Sequence, residues 1–278
     1  MPTPPPSAPT SRPYTGRLHR GARHAPTLAA TAAPHIWTLA EETPAAVLYN
    51  GAFFAVMMAT PADLADFAAG FTVTEGIAAF PDIQDIRIAE NLDGFLLNII
   101  IPPERQASLD TRRRVLTGRS GCGICGAQTL DAAVARPRPV KQRPTPNAQC
   151  LLNAYLALPG LQVINRENHS THAAGLADAE GNLLLVREDI GRHNALDKLI
   201  GAALTAGRAL TEGFVVVSSR CSMELVQKAA MVGVPLLASV SAPTALAVRL
   251  AAEAGMVLAA SSREGVMVFE PGKTAGAA

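Results

Sequence analysis

The chain opens without rhythm. Residues 1–34 are rich in proline and carry Arg12, Arg17, Arg20 and Arg23 with no acid, so they read as a disordered basic tail. From His35 a pattern emerges. Short apolar runs at 36–39, 46–49 and 53–58 predict strands, with Asn50-Gly51 as a hairpin turn between the last two. Thr60-Pro61 predicts a helix start, Thr60 as cap and Pro61 in the first turn. Leu64, Phe67, Ala68 and Phe71 then give that helix an apolar stripe. Two more strands are expected at 83–88 and 95–101, joined through Asn91-Leu92-Asp93-Gly94. Residues 35–136 thus read as a β-rich N-terminal subdomain ending in a cysteine-containing loop. Residues 137–146, proline and basic without periodicity, read as a linker.

Beyond the linker the rhythm changes. A helix is predicted at 148–158, stopped by Gly160, then a strand at 183–186. A helix over 194–205 places Ala195, Leu196, Leu199, Ile200 and Ala203 on one face. Strands at 214–217 and 234–240 flank a helix at 222–232. Ser241-Ala242-Pro243 opens a helix ending at Ala254 and closed by Gly255, and strands at 256–260 and 266–269 follow. Apolar strands alternating with helices predict an α/β (α+β) class over 147–270, a sheet covered by helices, with 271–278 a disordered tail. Ligands of such sheets lie beyond the carboxyl ends of strands. The loop tips at Ser218-Ser219-Arg220, Ser241-Ala242-Pro243 and Ser261-Ser262-Arg263 are therefore candidate positions.

Composition narrows the function classes. The 278 residues are 49% hydrophobic, enough for a sizeable core, and the net charge of +1 gives no global pull toward nucleic acid or anionic membrane. Only 4% are aromatic, against a base-stacking platform for single strands. No run of about 18 apolar residues predicts a membrane span. The four cysteines, with no secretory signal before them, suit a reducing cytoplasm better than a disulfide framework.

The chemistry concentrates in two segments. The first is Gly121-Cys122-Gly123-Ile124-Cys125-Gly126, preceded by Arg112, Arg113, Arg114 and Arg119. Three glycines make a poor packing element, and nearby cations favour the thiolate, which is both nucleophile and metal ligand. A zinc half-site fits poorly, because Cys150 and Cys221 are single and the histidines are scattered. A thioredoxin-like dithiol would sit at a strand-to-helix junction rather than behind an arginine run. A sulfur carrier holding a persulfide is the third reading, and a buried pair of small apolar residues the fourth. The second segment runs Arg187-Glu188-Asp189-Ile190-Gly191-Arg192-His193-Asn194-Ala195-Leu196-Asp197-Lys198. Polar residues crowd the junction of an apolar strand and an apolar helix, which suits an anion or nucleotide, or else a solvated helix start with local ion pairs. Taken singly, His172 reads as a hydrogen-bonded core residue, Glu75 as a surface acid, Cys221 as an inert thiol, and Arg263 with Gly265 as a hairpin tip.

In combination these motifs resemble the FdhD family. The resemblance covers most of 40–270: Thr74-Glu75-Gly76-Ile77, Gly118-Arg119-Ser120 with the Gly-Cys-Gly-Ile-Cys-Gly hexapeptide, Thr171-His172-Ala173-Ala174, the Arg187 to Lys198 block, Ser219-Arg220, Lys228, Ser241-Ala242-Pro243-Thr244 and Arg263. It implies a cytoplasmic homodimer with a cytidine deaminase-like core. The implied activity is sulfur transfer, taking sulfane sulfur from a cysteine desulfurase and passing it to the molybdenum or tungsten bis-molybdopterin guanine dinucleotide cofactor of formate dehydrogenase. It implies Cys122 as the persulfide-bearing residue and Cys125 as its companion, with no resident metal. The turn Ser261, Ser262, Arg263, Glu264, Gly265 and Val266 matches the family's cofactor-binding region, with Ser261 where the family usually has an aromatic. Arg192 and His193 would help hold the cofactor's guanine-dinucleotide ends.

Overall fold

The computed structural model describes residues 17–23, 33–106, 109, 136–141, 147–262 and 264–272. Within them Arg17–Arg23 (β1) pairs antiparallel with Ala33–Leu39 (β2), so part of the stretch read as a disordered tail is strand. Four strands follow in a second sheet: Thr43–Tyr49 (β3), Ala52–Ala59 (β4), Asp85–Asn91 (β5) and Gly94–Ile100 (β6), in the order β4-β3-β6-β5. Asn50 and Gly51 turn the β3–β4 hairpin at positive φ, 49° and 81°, which the hairpin signal requires. One face of this sheet is covered by helix α1 (Leu64–Thr74), whose Phe67, Ala68 and Phe71 meet Val47, Tyr49, Leu97 and Ile99.

That helix begins later than the Thr60-Pro61 signal predicts. Its N-cap is Asp63 in the left-handed region, a conformation aspartate tolerates better than most residues. Thr60 is engaged elsewhere. Its N–H donates to Asp189 Oδ2 at 3.0 Å, and its hydroxyl accepts from the Ile190 N–H at 3.1 Å. A partner 129 residues away displaces the local cap.

The larger sheet contains His172–Ala177 (β7), Leu183–Asp189 (β8), Phe214–Arg220 (β9), Leu236–Ser241 (β10), Val257–Ser262 (β11) and Gly265–Phe269 (β12), ordered β12-β11-β10-β9-β7-β8. Strands β9, β10 and β11 are parallel; β7 runs antiparallel to both its neighbours and β12 to β11. Helices Arg192–Thr205 (α4), Met223–Met231 (α5) and Ala245–Ala254 (α6) cover one face, burying Leu196, Leu199, Val226 and Leu250 against Val215, Val217 and Leu237. Helix Ala148–Leu161 (α2) covers the other through Leu151, Ala154 and Leu158 against Val216 and Leu236, and is followed by the short Val163–Asn168 (α3). Val215, Val216 and Val217 are all buried because both faces are covered, which is why this strand reads as an unbroken apolar run. The class is mixed α/β, as the alternation implied.

Strand β7 escapes the sequence pattern. His172-Ala173-Ala174-Gly175-Leu176-Ala177 holds no β-branched or aromatic residue, so propensity does not mark it. Small residues are needed there: a Cβ on Gly175 would lie 2.9 Å from Leu183 Cδ2 and 3.2 Å from Val216 Cγ1. Helix α2 likewise continues through Pro159 and past Gly160, which was expected to stop it.

The two larger sheets are joined by α1 lying across α4. A Cβ on Gly70 would overlap the Asp197 carbonyl, and one on Gly201 would overlap the Asp66 carbonyl. The helices therefore approach backbone to backbone. No helix among the described residues is long and apolar enough to cross a membrane.

Candidate functional site

One edge of the six-stranded sheet gathers most of the polar motifs. The parallel strands β9, β10 and β11 end there, at Arg220, Ser241 and Ser262. Register places His172 opposite Asp189 and Ala174 opposite Val217, so β7 begins and β8 ends at the same edge. Helices α4 and α5 start from it.

The Arg187 to Lys198 block divides into two parts. Most of its polar side chains hold the fold. Arg187 Nε donates to Asp66 Oδ2 on α1 at 2.8 Å. Glu188 accepts from the Ile164 and Asn165 N–H groups at 2.8 Å and from the Thr171 hydroxyl at 3.1 Å. Asp189 accepts from the Thr60 and Gly191 N–H groups and pairs with Lys198 Nζ at 2.7 Å. Asn194 Nδ2 donates to the Met58 carbonyl at 2.8 Å, and Lys198 Nζ to the Thr60 carbonyl at 2.9 Å. Asp197 accepts from the Thr74 hydroxyl at 2.6 Å and from Lys228 Nζ at 2.9 Å. Lys228 also reaches Glu75 at 2.9 Å, so Glu75 is an ion-paired, half-buried group rather than the free surface acid expected. Burial acts to lower the Lys228 pKa, but Asp197 and Glu75 outweigh it and raise the value, keeping the ammonium charged.

Arg192 and His193 are the exception. Arg192 Nε and His193 Nε2 are shielded from solvent and make no hydrogen bond among the described residues. At the start of α5, Ser222 Oγ at the N-cap and Glu224 Oε2 in the first turn are likewise shielded and unpartnered. Glu224 Oε2 stands 3.9 Å from His193 Nε2, beyond hydrogen-bond distance. His193, and then the nearby Ser222 hydroxyl, hold the Glu224 carboxyl down at about 2 against the opposing effect of burial. His172 belongs to the same group. It is half-buried at the sheet edge, and burial, then the charges of Arg192 and His193, lower its pKa. The sequence reading of His172 as a hydrogen-bonded core residue gives way to that of a titratable neighbour of the unpartnered pair.

Further along the edge the side chains are already engaged. Ser218 Oγ accepts from the Ala173 N–H at 2.8 Å, and Ser239 Oγ donates to the Ser241 carbonyl at 2.6 Å. Cys221 is buried, and burial followed by Glu224 pushes its thiol up to about 12, the inert thiol expected. Ser261 and Ser262 face Val266 and Gly265 across the β11–β12 hairpin. Ser262 Oγ donates to the Gly265 carbonyl at 3.0 Å and accepts from the Glu264 N–H at 3.3 Å, closing the turn. Gly265 carries a φ of 133°, which suits glycine there.

The hairpin tip follows β11, whereas His193 stands by Glu224, which follows β9, two strand positions away in the sheet order. Cys122, Cys125 and Arg263 lie outside the described residues. Among the described residues no set of three or more His, Cys, Asp or Glu side chains is placed to hold a metal ion. Ser222 and Glu224 are the residues that sequence reasoning missed. A serine followed by an acid at a helix start looks like ordinary capping, so nothing flagged them as more.

Comparison with known proteins is consistent with this architecture. The family model described as FdhD/NarQ matches residues 40–270. A sulfur carrier protein FdhD from Xanthomonas campestris pv. campestris is 48% identical over 260 residues, spanning 93% of this chain and 90% of that one. One from Cupriavidus necator is 46% identical over 231 residues, 83% and 80% of the two chains. A crystal structure described as a formate dehydrogenase accessory protein, from Desulfotalea psychrophila, superposes with a TM-score of 0.69 at 24% identity, over 93% of this chain and 98% of that one. At that identity it speaks to the fold.

Proposed function

The chain belongs to the FdhD/NarQ family, and on that premise we propose that it carries sulfur as a persulfide on Cys122. The Cys122 thiolate attacks the outer sulfur of a cysteine desulfurase persulfide. A new S–S bond forms at Cys122, and the desulfurase cysteine leaves as its thiolate. The sulfur then passes to the molybdenum or tungsten bis-guanine-dinucleotide cofactor as substrate, before formate dehydrogenase receives it. Attack of the Cys125 thiolate on Cys122 Sγ gives a balanced release: the outer sulfur departs as hydrosulfide, and a Cys122–Cys125 disulfide retains the oxidation. We further propose that the protein acts as a cytoplasmic homodimer.

The observation that carries this reading is the glycine-flanked Cys122-Gly123-Ile124-Cys125 segment behind Arg112, Arg113, Arg114 and Arg119 in a chain of a sulfur carrier family. Cations there favour the nucleophilic thiolate, whereas the buried Cys221, with its raised pKa, is unsuited to the role. The unpartnered donors of Arg192 and His193 at the sheet edge support a polar, nucleotide-bearing client. The test is intact-mass spectrometry after incubation with a desulfurase and cysteine. Wild type gains one sulfur, 32 Da, and Cys122→Ala does not. Persulfide-free wild-type protein that still restored formate dehydrogenase would replace the carrier reading with that of a cofactor chaperone.

A further inference from the structure

The six-stranded sheet is covered unevenly. Helices α4, α5 and α6 cover one face, while among the described residues α2 supplies the helix side chains packed on the other. The outward side of α6 is charged, with Arg249 and Glu253 exposed, as a solvated helix face ordinarily is. The outward side of α2 is not. No Asp, Glu, Lys or Arg occurs anywhere from 144 to 165. Leu151, Ala154, Tyr155 and Leu158 anchor α2 to the sheet. A second apolar row stands bare beside them: Leu152 is 37% exposed, Leu156 71%, and Val163, at the start of α3, 55%. Leu152 and Leu156 are one helical turn apart and so share a stripe. Gln149 and Asn153, exposed on the same helix, are neutral.

Resting on the homodimer reading, we infer that the α2 row is the contact between protomers, laid antiparallel on the same row of a second copy about a two-fold axis. The charge pattern selects this occupant. An uncharged row offers no counterion to a charged partner surface, whose charges would lose water without compensation. A second copy presents the same uncharged row, and a two-fold axis makes it self-complementary, because each end of one helix meets the opposite end of the other. The dimensions agree. Residues 148–163 extend roughly 24 Å at about 1.5 Å per residue. That is most of the ~30 Å width of a patch of about 800 Å², the area a stable interface buries on each partner. Leucines at the centre with neutral amides beside them match the depletion of charge in interface cores.

Light scattering after gel filtration of the full chain tests this. Wild type should run at twice the chain mass at micromolar concentration. Leu156→Glu should raise the dimer dissociation constant at least about a hundredfold, because the two-fold axis would bring two desolvated carboxylates together. It should therefore run as a single chain, with the circular dichroism spectrum of wild type, since Leu156 is largely exposed in the protomer. Leu156→Ser, which removes the apolar side chain without adding charge, should weaken the dimer in the same direction and serves where Leu156→Glu does not fold. Phe53→Glu alters a residue 47% exposed on the four-stranded sheet and should stay dimeric. Dimers that survive both Leu156 variants, or that are lost to Phe53→Glu instead, overturn the inference and leave the homodimer reading standing. A wild type of single-chain mass removes both.

Discussion

Lys198→Met should unfold the protein far more readily than Arg192→Met, although the two residues lie six positions apart in one polar block. Lys198 and Asp189 are both fully buried, with Nζ 2.7 Å from Asp189 Oδ2. The same ammonium donates to the Thr60 carbonyl at 2.9 Å and the Glu188 carbonyl at 3.3 Å. It therefore ties α4 to the segment between β4 and α1 and to the end of β8. Breaking one partner of such a buried pair typically costs about 3–5 kcal/mol, because the other charge is left uncompensated. Asp189 would keep the Thr60, Gly191 and Asn194 donors, so the lower end, about 3 kcal/mol, is expected. That is a large share of the roughly 5–15 kcal/mol that stabilises a domain. Arg192 Nε has no hydrogen bond to lose, so Arg192→Met should stay within about 1 kcal/mol of wild type. Urea unfolding followed by circular dichroism at pH 7.5 measures both. A cost below about 1 kcal/mol for Lys198→Met, or an equal cost for Arg192→Met, would refute the division of the block into a fold-holding part and a ligand-facing part.

The glycine contacts make a second contrast. Gly201→Ala should lower the urea midpoint by the equivalent of about 1–3 kcal/mol, because its Cβ meets the Asp66 carbonyl. Gly160→Ala, with open space around its Cβ inside α2, should raise it by about 0.5–1 kcal/mol. The Glu224 carboxyl is held below its ordinary 4.5 in the folded state, so its contribution is fully present above about pH 4.5 and lost as pH falls toward 2. The Tm penalty of Glu224→Gln should accordingly shrink between pH 7 and pH 2, and a constant penalty would contradict the assignment. His172 has a folded pKa below 6.5, so the unfolded chain takes up its proton first and stability falls as pH drops below about 6.5. Thermal melts of His172→Asn at pH 7.5 and 5.5 should show a flatter pH dependence than wild type.

Where information is local, it was legible in the chain. Asn50-Gly51 turns a hairpin because few other pairs tolerate its two positive φ angles, and Gly255 ends α6 in the left-handed region for the same reason. The apolar runs of β9, β10 and β11 and the stripe of α4 announced a helix-covered sheet, because burial demands that periodicity. Long-range geometry obscured the rest. Thr60 looks like a cap until Asp189 takes its N–H, and β7 goes unmarked partly because Gly175 stands where a Cβ would crowd Leu183 and Val216. The Arg187 to Lys198 block reads as one polar patch in the chain. Folding commits Glu188, Asp189, Asn194, Asp197 and Lys198 to internal bonds and leaves Arg192 Nε and His193 Nε2 unpartnered, His193 beside Glu224 from another helix. Residue type determines which bonds a side chain can make, but its free valences depend on neighbours that only the tertiary packing supplies.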